Sequence, residues 1–287
     1  MIQQYAHTLS NTLFPHTIYD VAVTLRNSLE YKQEALALID AYRAEDFIKK
    51  QGLLLQTKYT GNVEEFQRYI RGSRVQPDTS EDVVDIDEML NYAAERVISR
   101  FLNQSYRKLD AIRARLSERH GMTLAEWRAT YEEQVSFNQQ HNAIEWAHDN
   151  IARIEAEFSP VWQSLRIRKE SHAEALLIGY FGELFFNALK YRDPTQDQWL
   201  KMTFGEAHIA DDNFLTSGWE NPYNPEDDRH ADSGGKGLSA IRNDLDMLNP
   251  KGTDKNLIIE QDTEHRIFQV TLYFIDDIFI PNPEIKF

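Results

Sequence analysis

An α+β chain is what this sequence predicts. An all-α N-terminal region covers residues 1–158, and a region of helices and strands covers residues 159–287. Three observations carry that expectation. Apolar residues recur at spacings of three and four through the first half, as in Leu9, Leu13, Ile18, Val21 and Leu25, then Leu36, Leu38, Tyr42 and Phe47. The texture changes at Ser159-Pro160, after which runs with β character appear. The order beyond that point is helix, strand, strand, loop, helix, strand, strand, which implies a sheet covered by helices on one face.

Taken along the chain, the first break falls at "RGSRVQPDTSEDVVD" (71–85), where Gly72 and Pro77 stand among small polar residues. Helix resumes with "IDEMLNYAAERVISRFLNQSYRKLDAIRARLSERHG" and stops at Gly121. "MTLAEWRATYEEQ" restarts it, with Thr123 and Glu126 spaced as a capping box. Trp127, Trp146 and Trp162 occupy helical positions and are read as core. The second half opens with a helix over about 168–191. "QWLKMTF" (198–204) and "NFLTSGW" (213–219) follow as strands, joined by a turn at "ADD" (210–212). An acidic loop runs from Asn221 to Ser233, "GLSAIRNDLDML" (237–248) is helical, and "NLIIEQD" and "RIFQVTLYFI" are closing strands around a turn at "TEH".

Composition narrows the function. With 41% hydrophobic and 27% charged residues, the chain has the make-up of a folded globular protein. No apolar run approaches the roughly 20 residues that span a bilayer. The absence of cysteine excludes disulfides and thiolate metal sites and fits an intracellular, cytoplasmic protein. A formal charge of −15 repels phosphate backbones, which argues against nucleic-acid binding.

The chemistry concentrates in two segments. In "GYFGELFFNALKYRD" (179–193), Glu183, Asn187 and Lys190 interrupt an apolar helix and fall along one side of it. An Asn oxygen suits a hard cation such as Mg²⁺, a Lys meets phosphate as a point charge, and a Glu one turn earlier can orient or deprotonate a nucleophile. The plainer alternative is a polar helix edge. In "SGGKGLSAI" (233–241), glycines lead into a helix whose N-terminus favours anions, and Lys236 adds a full charge. Two such segments in this order, with two β-like runs between them, weigh more than either alone.

"ELFFNALKY" resembles the N box of the histidine-kinase-like ATPase superfamily, which includes gyrase, chaperone and mismatch-repair ATPases. "GGKGLSAIRNDL" is similar to its last glycine box in the form found in sensor histidine kinases. The resemblance covers roughly residues 160–278 and implies a layered α/β sandwich that holds ATP between its helices. It implies Asn187 as the Mg²⁺ ligand, Lys190 as a phosphate contact, Tyr191 packed near the nucleotide, and Gly235, Gly237 and Leu238 in the lid and helix start over the phosphates. The middle glycine box is degenerate: Asn221 stands where the family has the Asp that receives the adenine amino group, and the glycines are missing. An Asn carbonyl accepts the same hydrogen bond without charge assistance.

"AHTLSNTLFPHTI" (6–18) resembles the H box of histidine kinases, which makes His7 the phosphoacceptor and Asn11 the amide that positions a water for dephosphorylation. Thr8 stands where the family has an acid. "VVDIDEMLNYAAERVI" (83–98) resembles the stretch after the dimerisation hairpin, and about 103–158 is a helical insertion relative to a standard kinase core. The resemblance therefore implies a homodimer, built on a four-helix bundle with one hairpin from each chain, that moves the ATP γ-phosphoryl to His7 and on to a response-regulator-like partner. Two other readings stand beside it: an ATPase switch that controls a partner protein, and a non-catalytic phosphotransferase or scaffold that has lost ATP. The carboxylates Glu206, Asp211, Asp212 and "PEDD" are irregularly spaced and read as a solvated acidic loop rather than a metal site.

Overall fold

A computed structural model describes residues 83–103, 113–114, 117–118, 120–137, 142–169, 171–191, 197–209, 212–224, 236–248, 256–274 and 278–281. His7, Asn11 and the rest of the helical expectation for 1–82 lie outside them, as does Gly235.

In chain order the described elements are β1 (Val83–Asp85), α1 (Ile86–Asn103), α2 (Leu124–Tyr131) continuing as a π-helical turn (Glu132–Phe137), α3 (Ala143–Asn150), β2 (Arg153–Phe158), α4 (Pro160–Gln163), β3 (Leu165–Arg168), α5 (His172–Tyr191), β4 (Trp199–Ile209), β5 (Asp212–Pro222), α6 (Lys236–Leu248), β6 (Leu257–Asp262), β7 (Ile267–Phe274) and β8 (Ile280–Pro281). The protein is mixed α+β. Its main sheet has five strands in the order β2-β4-β5-β7-β6, with β2 parallel to β4 and every other pair antiparallel. A smaller antiparallel sheet has the order β1-β3-β8.

Period-two alternation decides which way the main sheet faces. On β4, Leu200, Met202 and Phe204 are buried. The register sets Met202 opposite Trp219 and Trp219 opposite Val270, so one apolar row crosses three strands. Phe181 of α5 packs on this face, its ring 5.8 Å from Phe204 and 5.9 Å from Trp219. The opposite face carries polar pairs such as Lys201 with Glu157 at 3.2 Å. The sheet is therefore helix-covered on one face, as the element order predicts.

The short helix α4 works as a peg. Ser159 caps it and Pro160 opens it, where a missing N–H costs nothing. This places Trp162 among Phe204, Phe274 and Phe279, with ring centroids at 5.1, 6.2 and 5.3 Å, and its indole N–H donates to the Gly205 carbonyl at 2.8 Å. Trp127 and Trp146 are fully buried too, so all three tryptophans lie where the spacing predicts.

Four expectations are corrected. Residues 153–158, read as the end of a helix, form the edge strand β2, and Phe158 stacks on Phe204 at 4.5 Å. Residues 165–168 are strand β3, so the long helix begins at His172, where Ser171 Oγ accepts from the Glu174 amide at 3.1 Å. Strand β5 runs on to Pro222, which puts Asn221 in the sheet rather than in a loop. The strand β1 likewise precedes α1 at the end of the segment read as a break, 71–85.

Residues before and after 158, where a domain boundary is expected, bury their side chains in a continuous core. It runs from Ile98, Phe101, Trp127 and Trp146 to Phe181, Met202 and Leu272. Helix α1 packs against both α5 and α3. Asn91 of α1 accepts from the Ala143 amide at 2.8 Å and so helps to cap α3. The Thr123–Glu126 capping box is present, with the Thr123 hydroxyl accepting from the Glu126 amide at 3.2 Å and Glu126 accepting from the Thr123 amide at 2.6 Å. Removing the hydroxyl in Thr123→Ala is expected to lower stability by about 1 kcal/mol in a denaturant melt, leaving the midpoint slope unchanged. Among the described residues no helix is long and apolar enough to cross a membrane.

Candidate functional site

The buried face of α5 is set by Phe181, Leu184, Phe185 and Ala188, all held in the core. One step around the helix lies a half-buried strip that includes Glu183 and Asn187, and Lys190 at its end is buried. Spacings of four and three place these polar groups in line. The Asn187 side-chain amide donates to Glu183 Oε1 at 3.1 Å. That bond turns the amide nitrogen toward Glu183, and the Asn187 oxygen is the side chain's acceptor atom.

Helix α6 lies beside this strip. Its apolar face, Ile241, Leu245 and Leu248, is buried, and Leu238 packs half-buried against the same core. At its first turn Gly237 comes so close to α5 that a Cβ placed there would overlap the Glu183 carboxylate and sit 2.9 Å from Glu183 Cγ. A side chain at 237 would require the Glu183 carboxylate, the end of a flexible side chain, to move aside. The fold thus brings together Glu183, Asn187 and Gly237, which the sequence assigns to one site from segments about fifty residues apart.

The other assigned residues are placed as follows. Asn221 is buried on the inner face of β5, opposite Phe268, and its amide nitrogen donates to the Pro222 carbonyl at 2.9 Å. That bond leaves the oxygen as the acceptor, the atom an adenine amino group requires. Asn221 is not part of the Glu183–Gly237 contact. Tyr191 ends α5 and Lys236 begins α6, and their side chains are outside the described set. Glu206 accepts from the Ser159 hydroxyl, which ties it to the cap of α4. Among the described residues no group of three His, Asp or Glu side chains could hold a metal ion.

One pair escapes the sequence reading. Asp244 of α6 and Tyr180 of α5 are both buried and face each other across the helix interface. Burial, and then the charge of Asp244, holds the Tyr180 hydroxyl well above its ordinary pKa. The signal is legible in retrospect: Asp244 is an acid on the Ile241–Leu245–Leu248 face of an amphipathic helix. No protein-family model matches the chain, and no curated protein does either.

Proposed function

We propose that the chain is an ATP-binding signalling protein of the histidine-kinase-like type. On this reading ATP gives its γ-phosphoryl to His7. The bond from the γ-phosphorus to the ADP oxygen breaks, a P–N bond to the imidazole forms, and the imidazole proton is released. The group then passes to an aspartate on a response-regulator-like partner, with the chain acting as a homodimer.

The observation that carries the reading is the meeting of Glu183, hydrogen-bonded to Asn187, with Gly237 at the first turn of α6. It lies beside a five-stranded mixed sheet covered by helices on one face, which suits a layered ATP-holding sandwich. An Asn oxygen fits a Mg²⁺ ion that keeps most of its coordination from water and phosphate, and such an ion would neutralise charge between phosphate oxygens. Lys190 would contact phosphate, Asn221 would accept from adenine, and Tyr191 would pack near the base. Gly235, Lys236, Gly237 and Leu238 would cover the phosphates. Glu183 would orient the attacking group, and Asn11 the water that later removes phosphate from His7.

The test is a calorimetric titration with a non-hydrolysable ATP analogue, with and without Mg²⁺. Binding is expected to require Mg²⁺ and to weaken at least about tenfold in Asn187→Ala. Acid-labile phosphate should then appear on His7 and vanish in His7→Gln. No binding at millimolar analogue would sink the reading and leave the scaffold alternative. An ATPase switch is the second reading, favoured by the packing of α1 on α5, since a shift of α5 would be felt directly by the preceding helices. That reading expects function to survive His7→Gln.

A further inference from the structure

We infer that Glu183 is an internal latch: its carboxylate sits against the first turn of α6 and excludes a polyphosphate from that place until it is displaced. The inference rests on the nucleotide reading above and adds regulation of that same site. Two contacts of the same carboxylate support it. The Glu183 side chain lies in the volume a Cβ on Gly237 would take, so the carboxylate and the opening turn of α6 are in contact with no room between them. Asn187, the residue whose oxygen would serve the cation, is held by the same carboxylate at 3.1 Å. One anionic group therefore engages both elements that would otherwise face phosphate and its cation. A carboxylate near a helix N-terminus is favoured for the reason a phosphate is, so the two anions compete for one position. The second crossing of the helices, Tyr180 against Asp244, lies seven residues along α6 and is fixed by burial. Release at Glu183 would accordingly free the N-terminal turn of α6 while its C-terminal part stays docked.

The chain has no cysteine, which permits a clean cross-link. Glu183 Cγ lies 2.9 Å from the Cβ position at residue 237, one carbon–carbon bond from Glu183 Cβ, so the two Cβ atoms are within reach of the about 3.5–4.5 Å a disulfide spans. The experiment is to combine Glu183→Cys with Gly237→Cys and to titrate oxidised and reduced protein with a Mg²⁺-bound non-hydrolysable ATP analogue and with inorganic tripolyphosphate. Glu183→Gln is titrated in parallel. The latch predicts ready disulfide formation, loss of polyphosphate binding in the oxidised form with recovery on reduction, and binding about three- to tenfold tighter than wild type in Glu183→Gln. A pair that fails to cross-link overturns the latch, as does binding indifferent to the cross-link, or a Glu183→Gln chain no tighter than wild type. A ready cross-link with no nucleotide or tripolyphosphate bound by any form, wild type included, overturns the nucleotide reading and the competitive role with it, leaving only the contact.

Discussion

Trp162→Ala is expected to lower unfolding free energy by about 3–5 kcal/mol, the cost of truncating a fully buried large aromatic. The reason is position as much as size. The indole touches Phe204 of β4, Phe274 of β7 and Phe279 near the end of the described chain, so it joins sheet strands that are not neighbours. Its N–H also satisfies the Gly205 carbonyl at 2.8 Å, which truncation would leave without that donor. Domain stabilities of about 5–15 kcal/mol make such a loss a large fraction of the total. Calorimetry should show the melting temperature falling by roughly 10 °C. Trp162→Phe keeps the ring contacts and gives up the indole hydrogen bond, so it should cost about a third as much. A drop below about 1 kcal/mol for the alanine variant would show that Trp162 is not the joint described here.

The second large effect is on the alkaline side. Burial and the charge of Asp244 raise the Tyr180 pKa in the folded chain well above the value near 10 that an unfolded tyrosine has. Between those two values the unfolded chain has lost a proton that the folded chain retains. Stability is therefore fully present below about pH 10 and falls as pH rises through that window toward the folded pKa. Tyr223 and Tyr273 shift in the same direction, each chiefly by burial, and contribute to the same fall. Tyr180→Phe should change stability at neutral pH by less than about 1.5 kcal/mol, since it nearly conserves volume. It should also make the alkaline decline visibly shallower. An unchanged slope in denaturant melts from pH 8 to 11 would mean that the Tyr180 hydroxyl is not held as described.

On the acidic side, the carboxylates with resolved shifts are exposed and local. Hydrogen bonds from Thr123, backbone first, lower the Glu126 pKa. The backbone and side chain of His265 do the same for Asp262. Their contributions are present above the ordinary carboxylate range and are lost as pH falls through the lowered values. The folded chain should thus be sensitive to base through its core and to acid through its caps and turns.

The elements legible in the sequence are those whose signal is local. Helix α6 and the strands β4, β5, β6 and β7 carry their own periodicity, and the Thr123–Glu126 cap needs only four residues to form. The elements that escaped depend on distant partners. "RIEAEF" alternates outward charge with inward Ile154 and Phe158, yet Glu and Ala are good helix formers and the segment follows a helix. Only its parallel pairing with Trp199–Phe204, across a long crossover, makes it a strand. β1, β3 and β8 have three, four and two residues, too few for a period to declare itself. The candidate site divides the same way. Glu183, Asn187 and Gly237 stand out by residue type against an apolar helix and a glycine-rich turn, whereas the Tyr180–Asp244 pair exists only once two helices are laid side by side.

The small β1-β3-β8 sheet sets a timetable. Its outer strands are Val83–Asp85 and Ile280–Pro281, both hydrogen-bonded to Leu165–Arg168 between them. A ribosome adding about 5–20 residues per second delivers the third of these strands some ten seconds or more after the first. During that interval β1 and β3 can pair, but the second edge of β3 stays open and Trp162 waits for Phe274 and Phe279. The nascent protein therefore passes through a stage in which β1 to β6 have emerged while the aromatic joint around Trp162 is still incomplete. Among the described elements, the two-residue strand β8 is the last to arrive.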